Sequence, residues 1–192
     1  MSGKVIIVSA PSGAGKTTIV KHLLARENLH LEFSISACTR PKREDETEGR
    51  DYYFMTVDEF RSKIEDNQFL EWEEVYKGSY YGTLKSEVDR IWKNHNHILF
   101  DVDVEGAVNL KQYFGEKALS VFIMPPSIEE LQRRLEKRGM DSPEKIRKRI
   151  NKAGYEIKFV SKFDRTIIND DLDKALQEAD EMVSAFLTLT KA

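Results

Sequence analysis

The stretch Ser9 to Thr18, SAPSGAGKTT, constrains this chain more than any other segment. It follows the apolar run Val5, Ile6, Ile7, Val8, which predicts a buried strand. It leads into Ile19, Val20, Leu23 and Leu24 at helical spacing, which predicts a helix over roughly Gly15 to Arg26. A strand, a glycine turn and a helix in that order curl successive backbone N–H groups round one point, where the positive end of the helix dipole adds to them. Such a nest binds phosphate. The pattern GxxxxGK[ST] is complete except that Ala10 stands for its first glycine, a change a negative φ would tolerate. Pro11, Ser12, Gly13, Ala14, Gly15, Lys16, Thr17 and Thr18 are therefore candidate phosphate ligands. The Lys16 ammonium would reach the two outer phosphates of a nucleotide, and the Thr17 hydroxyl would ligate Mg²⁺.

Composition bounds the rest. At 192 residues the chain suits one domain, and a hydrophobic fraction of 40% against 33% charged is a soluble globular balance. A net charge of −3 argues against bulk nucleic-acid binding, though clustered arginines can still hold a small anion. Cys38 is the single cysteine, so no intrachain disulfide is expected. The N-terminal apolar run is too short for a signal peptide and no segment approaches a membrane span, so a cytoplasmic protein with no membrane partner is the expectation.

Along the chain, Phe33 to Ser36 alternates as a strand does. From Cys38 to Tyr53 the sequence is polar and turn-rich, which predicts an exposed functional loop. Thr56 and Glu59 form a capping-box pair ahead of Val57, Phe60 and Ile64. Phe69 to Trp72 reads as a short strand, and Tyr80 to Thr83 as the opening of a helix bearing Leu84, Val88, Ile91 and Trp92. Ile98 to Phe100 is a buried strand ended by Asp101 and Asp103, acids that would point into the crevice at the carboxyl ends of an open sheet. Ala118 to Met124 is another strand, stopped by Pro125 and Pro126. Ser127 and Glu130 then box the start of a helix with Arg134 and Arg138 adjacent on its outer face. Gly139 ends that helix, Ser142 and Pro143 start the next, which bears Arg147 and Arg149, and a last strand ends at Asn169 ahead of a long amphipathic helix. Strands alternating with helices give a parallel, doubly wound α/β fold.

A phosphate loop fixes a ligand class and no reaction. Arg40, Arg43, Tyr52 and Tyr81 add two guanidinium forks and two phenols, a set that suits a second phosphate group. The four histidines, His22, His30, His95 and His97, read as surface or packing residues.

With these motifs in order, namely APSGAGKT, SACTRPKR, GRDYYF, FLEW, YYGT, DVDVEG, RRLEKRG with KIRKRI, and INDDL, the chain resembles the guanylate kinases over its whole length. The resemblance implies a P-loop kinase sheet with a core (1–33, 85–124 and 156–192), a GMP-binding insertion (34–84) and a helical lid (125–155). It implies transfer of the ATP γ-phosphoryl to GMP, with dGMP an expected further acceptor, Mg²⁺ as cofactor, and a monomer or homodimer. Carried over residue by residue, Arg40, Arg43, Tyr52 and Tyr81 would hold the GMP phosphate, and Ser36, Glu71, Thr83 and Asp103 would read guanine. Lys16, Arg134, Arg138 and Arg149 would neutralise the moving phosphoryl. Asp101 would orient Mg²⁺ through water, and Asn169 would touch the donor nucleoside. Glu71 has its own physical rationale, since guanine presents N1–H and an exocyclic amine side by side to a carboxylate while adenine presents an acceptor at N1. Charge alone leaves Arg133 and Arg147 as substitutes for the chosen lid arginines. Glu105 stands where many relatives carry Gln, and an acid there would oppose phosphate unless it points away. Two other readings remain: a non-catalytic phosphopeptide-binding module, which the intact loop opposes, and a kinase for a different phosphorylated acceptor, which would leave Glu71 without a partner.

Overall fold

In the pleat of β1 (Val5–Ser9) successive side chains face opposite ways, and every one of its residues is buried. Val5 and Ile7 pack to one side with Val88, Ile91, Ala107 and Leu110, and Ile6 and Val8 to the other with Ile19, Leu23, Ala175 and Val183. This is a central strand with helices on both faces, as its unbroken apolar run requires. The computed structural model describes residues 3–139 and 141–188. After β1 come α1 (Lys16–Leu24), β2 (Leu31–Phe33), β3 (Ala37–Cys38), β4 (Tyr53–Phe54), α2 (Val57–Glu65), β5 (Phe69–Tyr76), β6 (Ser79–Leu84) and α3 (Lys85–Lys93). They are followed by β7 (His97–Asp101), α4 (Val104–Phe114), β8 (Ala118–Met124), α5 (Ile128–Arg138), α6 (Pro143–Glu156), β9 (Arg165–Ile168) and α7 (Leu172–Thr188).

The main sheet has the order β2-β7-β1-β8-β9 and all its pairs are parallel. A second sheet, β4-β3-β6-β5, is mixed: β3 runs parallel to β4 and antiparallel to β6. It has its own small core, in which Phe60 of α2 stacks on Phe69 at 4.3 Å and on Tyr80 at 5.4 Å. The helices α5 and α6 close over a third cluster of Leu131, Leu135, Ile146 and Ala153. Among the described residues no helix is long and apolar enough to cross a membrane.

The sequence reading needs correction at three places. Ser34 to Ser36 is not strand: it is the crossing between the two sheets, with Ser34 N–H still bonded to Leu99 O at 3.0 Å and Ile35 N–H to Glu87 Oε1 at 2.9 Å. Tyr80 to Thr83 does not open a helix but lies in β6, paired with a β5 that extends to Tyr76. The helix starts after it at Lys85. Burial alternates only from Ser79 to Gly82 and then runs on through Thr83 and Leu84, and the glycine hides what period-2 signal there is. Finally, Thr56 and Glu59 form the full reciprocal cap, but at α5 only Ser127 plays its part, accepting from Glu130 N–H at 3.1 Å. The Glu130 carboxylate is drawn off by Arg133 and Arg134, each at 2.8 Å.

The crossing is held from α3. The Glu87 carboxylate is buried and accepts from Ile35 N–H, Tyr53 Oη (2.9 Å) and the Arg90 guanidinium (2.7 and 3.0 Å), while Arg90 also pairs with Glu32 of β2. Removing a buried carboxylate from such a set strands its donors, a change that typically costs about 3–5 kcal/mol. We expect Glu87→Ala to lower stability by about that amount and Tyr53→Phe by about 1 kcal/mol, read as shifts in urea midpoint at constant m-value.

Candidate active site

The phosphate loop has the geometry its sequence demands. Gly13 and Gly15 have φ of 96° and 97°, where a side chain would be strained, and Ala10, at the place of the pattern's first glycine, is not among the residues of positive φ. Gly15 is the N-cap of α1, no side chain caps the helix, and its first turn carries no acid, so its amides face the cleft without an internal anion. Two neighbours fix the turn. A β-carbon on Gly15 would lie 2.2 Å from the Asn169 amide nitrogen, and that nitrogen donates to Ala14 O at 2.8 Å. A β-carbon on Gly13 would meet Leu135 of α5 at 2.9 Å. Asn169, buried at the end of β9, is thus a brace for the loop, a role the sequence reading did not assign it.

Lys16 extends from the loop to the carboxyl end of β7, where its ammonium pairs with Asp101 and donates to Val102 O at 3.3 Å. A cleft of about 570 Å³ is lined by the loop from Ala10 to Thr18 together with Asp103, Arg134, Arg138, Lys152 and Glu156. From across it Arg149 donates to Ser12 Oγ at 2.6 Å and pairs with Asp141 at 3.2 Å. Three of the expected lid arginines therefore stand at the loop, while Arg147 lines a separate hollow with Gln132 and Ile150.

A second cavity of about 240 Å³ opens against the mixed sheet, lined by Ser36, Tyr52, Glu71, Glu73, Tyr81, Asp101, Asp103 and Lys152. Glu71 of β5 faces Thr83 of β6 across the ladder, and Thr83 Oγ1 donates to Glu71 Oε1 at 2.6 Å. The strands approach closely because the neighbouring pair is Trp72 with Gly82: a β-carbon at 82 would sit 2.7 Å from Glu71 O. Burial, with the Asp103 charge nearby, pushes the Glu71 carboxyl up to about 7. Asp103 caps α4 by accepting from Gly106 N–H at 2.9 Å. Burial raises its pKa, but the hydrogen bonds from Glu73 and Gly106 outweigh that and hold it below the usual range. The Glu73 carboxyl is pushed up by its hydrogen bond to Asp103 and by burial. A third cavity of about 350 Å³ joins the two sites, since Lys16 and Thr17 line it with Ser36, Asp51 and Tyr52.

The arginine and tyrosine cluster assembles only in part. Tyr52 and Tyr81 meet edge to face at 6.1 Å, and Arg40 lies over the Tyr52 ring at 4.8 Å. Arg40 is clasped by Glu46 through two bonds of 2.5 and 2.7 Å, which hold the Glu46 carboxyl down at about 2. Arg43 is exposed, and neither it nor Arg40 lines one of these cavities. Cys38 is fully buried and burial raises its thiol pKa, so it reads as packing. Sequence reasoning missed Glu73, Lys152 and Glu156. Glu73 shares Glu71's strand face two residues on, and Lys152 follows Arg149 by one helical turn, signals the local pattern carries once the elements are known. Glu105 does not line the cleft of the phosphate loop; it accepts from Tyr155 Oη at 2.9 Å.

A carboxyl whose pKa is raised by folding favours the native state below its unfolded pKa and loses that contribution as pH climbs through the folded value. Between about pH 5 and about pH 8 the parent should therefore lose more stability than Glu71→Gln, in paired urea titrations.

A family model described as guanylate kinase matches residues 2–186. The guanylate kinase of Bacteroides thetaiotaomicron is 54% identical over 97% of this chain and 91% of its own length. That of Porphyromonas gingivalis is 51% identical over 96% of this chain and 98% of its own. The crystal structure of guanylate kinase from Anaplasma phagocytophilum superposes with a TM-score of 0.77 at 29% identity, covering 98% of this chain and 88% of that one. The braced glycine turn, the carboxylate set against a threonine in the facing cavity and the identity along nearly the whole chain lead to one conclusion: this chain belongs to the guanylate kinase family.

Proposed function

We propose that the chain transfers the γ-phosphoryl group of ATP to GMP, and to dGMP, giving ADP and GDP or dGDP. In this reading the loop from Pro11 to Thr18 takes the donor phosphates. The insertion 34–84 takes the acceptor, and the helical pair within 125–155 covers the reacting groups. The observation that carries it is the Glu71 carboxylate held by Thr83 in a cavity continuous with the phosphate loop. A guanine N1–H and amine can satisfy that buried carboxylate together, whereas adenine offers an acceptor there, a mismatch worth roughly 10⁴-fold. Ser36 and Asp103 line the same cavity and complete the base site.

The acceptor is already an oxyanion, so no general base is needed. An oxygen of the GMP phosphate forms the new bond to the γ-phosphorus as the bond to the β,γ-bridging oxygen breaks, its electron pair leaving with ADP. Lys16 gives up Asp101 for the phosphates, and Arg134, Arg138 and Arg149 offset the charge spread over the moving group. The donor set fits Mg²⁺: the Thr17 hydroxyl is exposed at the start of α1, and Asp101 sits beside Lys16. No trio of His, Cys, Asp or Glu among the described residues converges into a protein cage, which suits an ion that takes most of its oxygens from phosphate and water. Bound there through Thr17 and Asp101, it would neutralise the outer phosphates. Tyr52, Tyr81 and Arg40 would hold the acceptor phosphate, with Glu46 yielding Arg40 to it, and Arg43 would reach it from the exposed loop.

Coupled ADP release with GMP, dGMP, AMP, UMP or no acceptor tests the reading. Turnover with GMP and dGMP alone is expected, and equal rates with AMP would remove the role given to Glu71. Lys16→Met should lose turnover by about 10³-fold with the fold intact by circular dichroism. Because GMP favours the charged form of Glu71, its binding near pH 7 should release protons, seen as a buffer-dependent calorimetric enthalpy that Glu71→Gln abolishes.

A further inference from the structure

Two residues line both the Glu71 cavity and the cleft of the phosphate loop: Asp103 and Lys152. Asp103 is committed to capping α4 and repels phosphate. Lys152 is the cation that lines both, projecting from α6 one turn beyond Arg149. Its surroundings are acidic. Glu73, Asp103, Glu105 and Glu156 share one hollow with it, and its ion pair with Glu156, one helical turn away, is long at 3.8 Å. Other cations at the site are held more closely: Arg134 by Glu130 at 2.8 Å, Arg149 by Asp141 at 3.2 Å, Arg40 by Glu46 at 2.5 Å, and Lys16 by Asp101. Each of those must exchange a carboxylate for a phosphate oxygen, whereas the loosely held Lys152 ammonium, with its side chain 54% exposed, exchanges mainly water. Glu156 is buried, and its second oxygen has no protein partner, so it offers Lys152 a place to return to without locking it.

We infer that Lys152 is a further catalytic residue, its ammonium contacting the phosphoryl group as it passes between the two cavities. This rests on the reading that the chain transfers phosphoryl to GMP. The contact forms where the bond to the acceptor oxygen is made and the bond to the bridging oxygen is broken, and no proton leaves the lysine. A charge that acts there lowers the barrier without tightening either substrate in the ground state.

Lys152→Cys with subsequent aminoethylation tests this directly. The introduced thiolate displaces bromide from 2-bromoethylamine and so regains an ammonium at nearly the original reach, while Cys38, the native thiol, is buried and protected. The unmodified variant should turn over about 10- to 100-fold slower, with KM for ATP and GMP within about threefold of the parent. Aminoethylation should bring kcat back to within about threefold. Lys152→Met, which keeps the apolar stem, should match the unmodified variant. A kcat within about twofold of the parent, a change confined to KM, or no recovery after aminoethylation each overturns the assignment. A parent chain idle toward GMP would overturn the functional reading and this one with it, whereas an active parent with an unmoved variant removes Lys152 alone.

Discussion

The structure depends on a short turn in which two glycines hold backbone angles closed to other residues, pinned from both sides. Asn169 reaches from the end of β9 to bond Ala14 O, and Leu131 and Leu135 of α5 press on Gly13. Because β9 is the far edge of the parallel sheet and α5 belongs to the helical pair, the loop's shape reports on three parts of the molecule at once. A phosphate nest gains its affinity from amides already aimed at one point, and here the aiming is done by packing rather than by the loop's own side chains.

Around that turn the acids and cations balance narrowly. Glu71, Glu73, Asp101 and Asp103 crowd the cavity that anionic substrates are proposed to enter, and two of them are pushed toward the neutral form, Glu71 chiefly by burial and Glu73 chiefly by its hydrogen bond to Asp103. Most of the basic side chains at the site rest on carboxylates: Lys16 on Asp101, Arg40 on Glu46, Arg134 on Glu130. Such pairs hold the side chains in place and make phosphate binding an exchange of partners, so charge is moved within the site rather than drawn from water.

Much of this was legible in the chain itself. The run Val5 to Val8, the glycine turn and the caps at Thr56 and Ser142 act through local geometry, so their spacing alone predicts them. Tyr80 to Thr83 misled because Gly82 gives no alternation to read, and its reason for being there lies in a strand that is distant in the helix-like pattern but adjacent in the sheet. Arg40 and Arg43 look equivalent as residues, yet only the fold decides that Glu46 clasps one and leaves the other in solvent. Glu73 comes from β5 and Lys152 from α6, and no spacing in the sequence brings them together.

Gly82 carries one further consequence. A methyl group there would wedge against the carbonyl of Glu71 and the β-carbon of Trp72, splaying the hairpin and pulling the threonine hydroxyl from the acid it orients. On the proposed base reading, choice of base would then fail with every polar group of the pocket still present in the sequence. If Glu71 reads the base as proposed, discrimination between purines is kept by the smallness of a residue that has no side chain to offer.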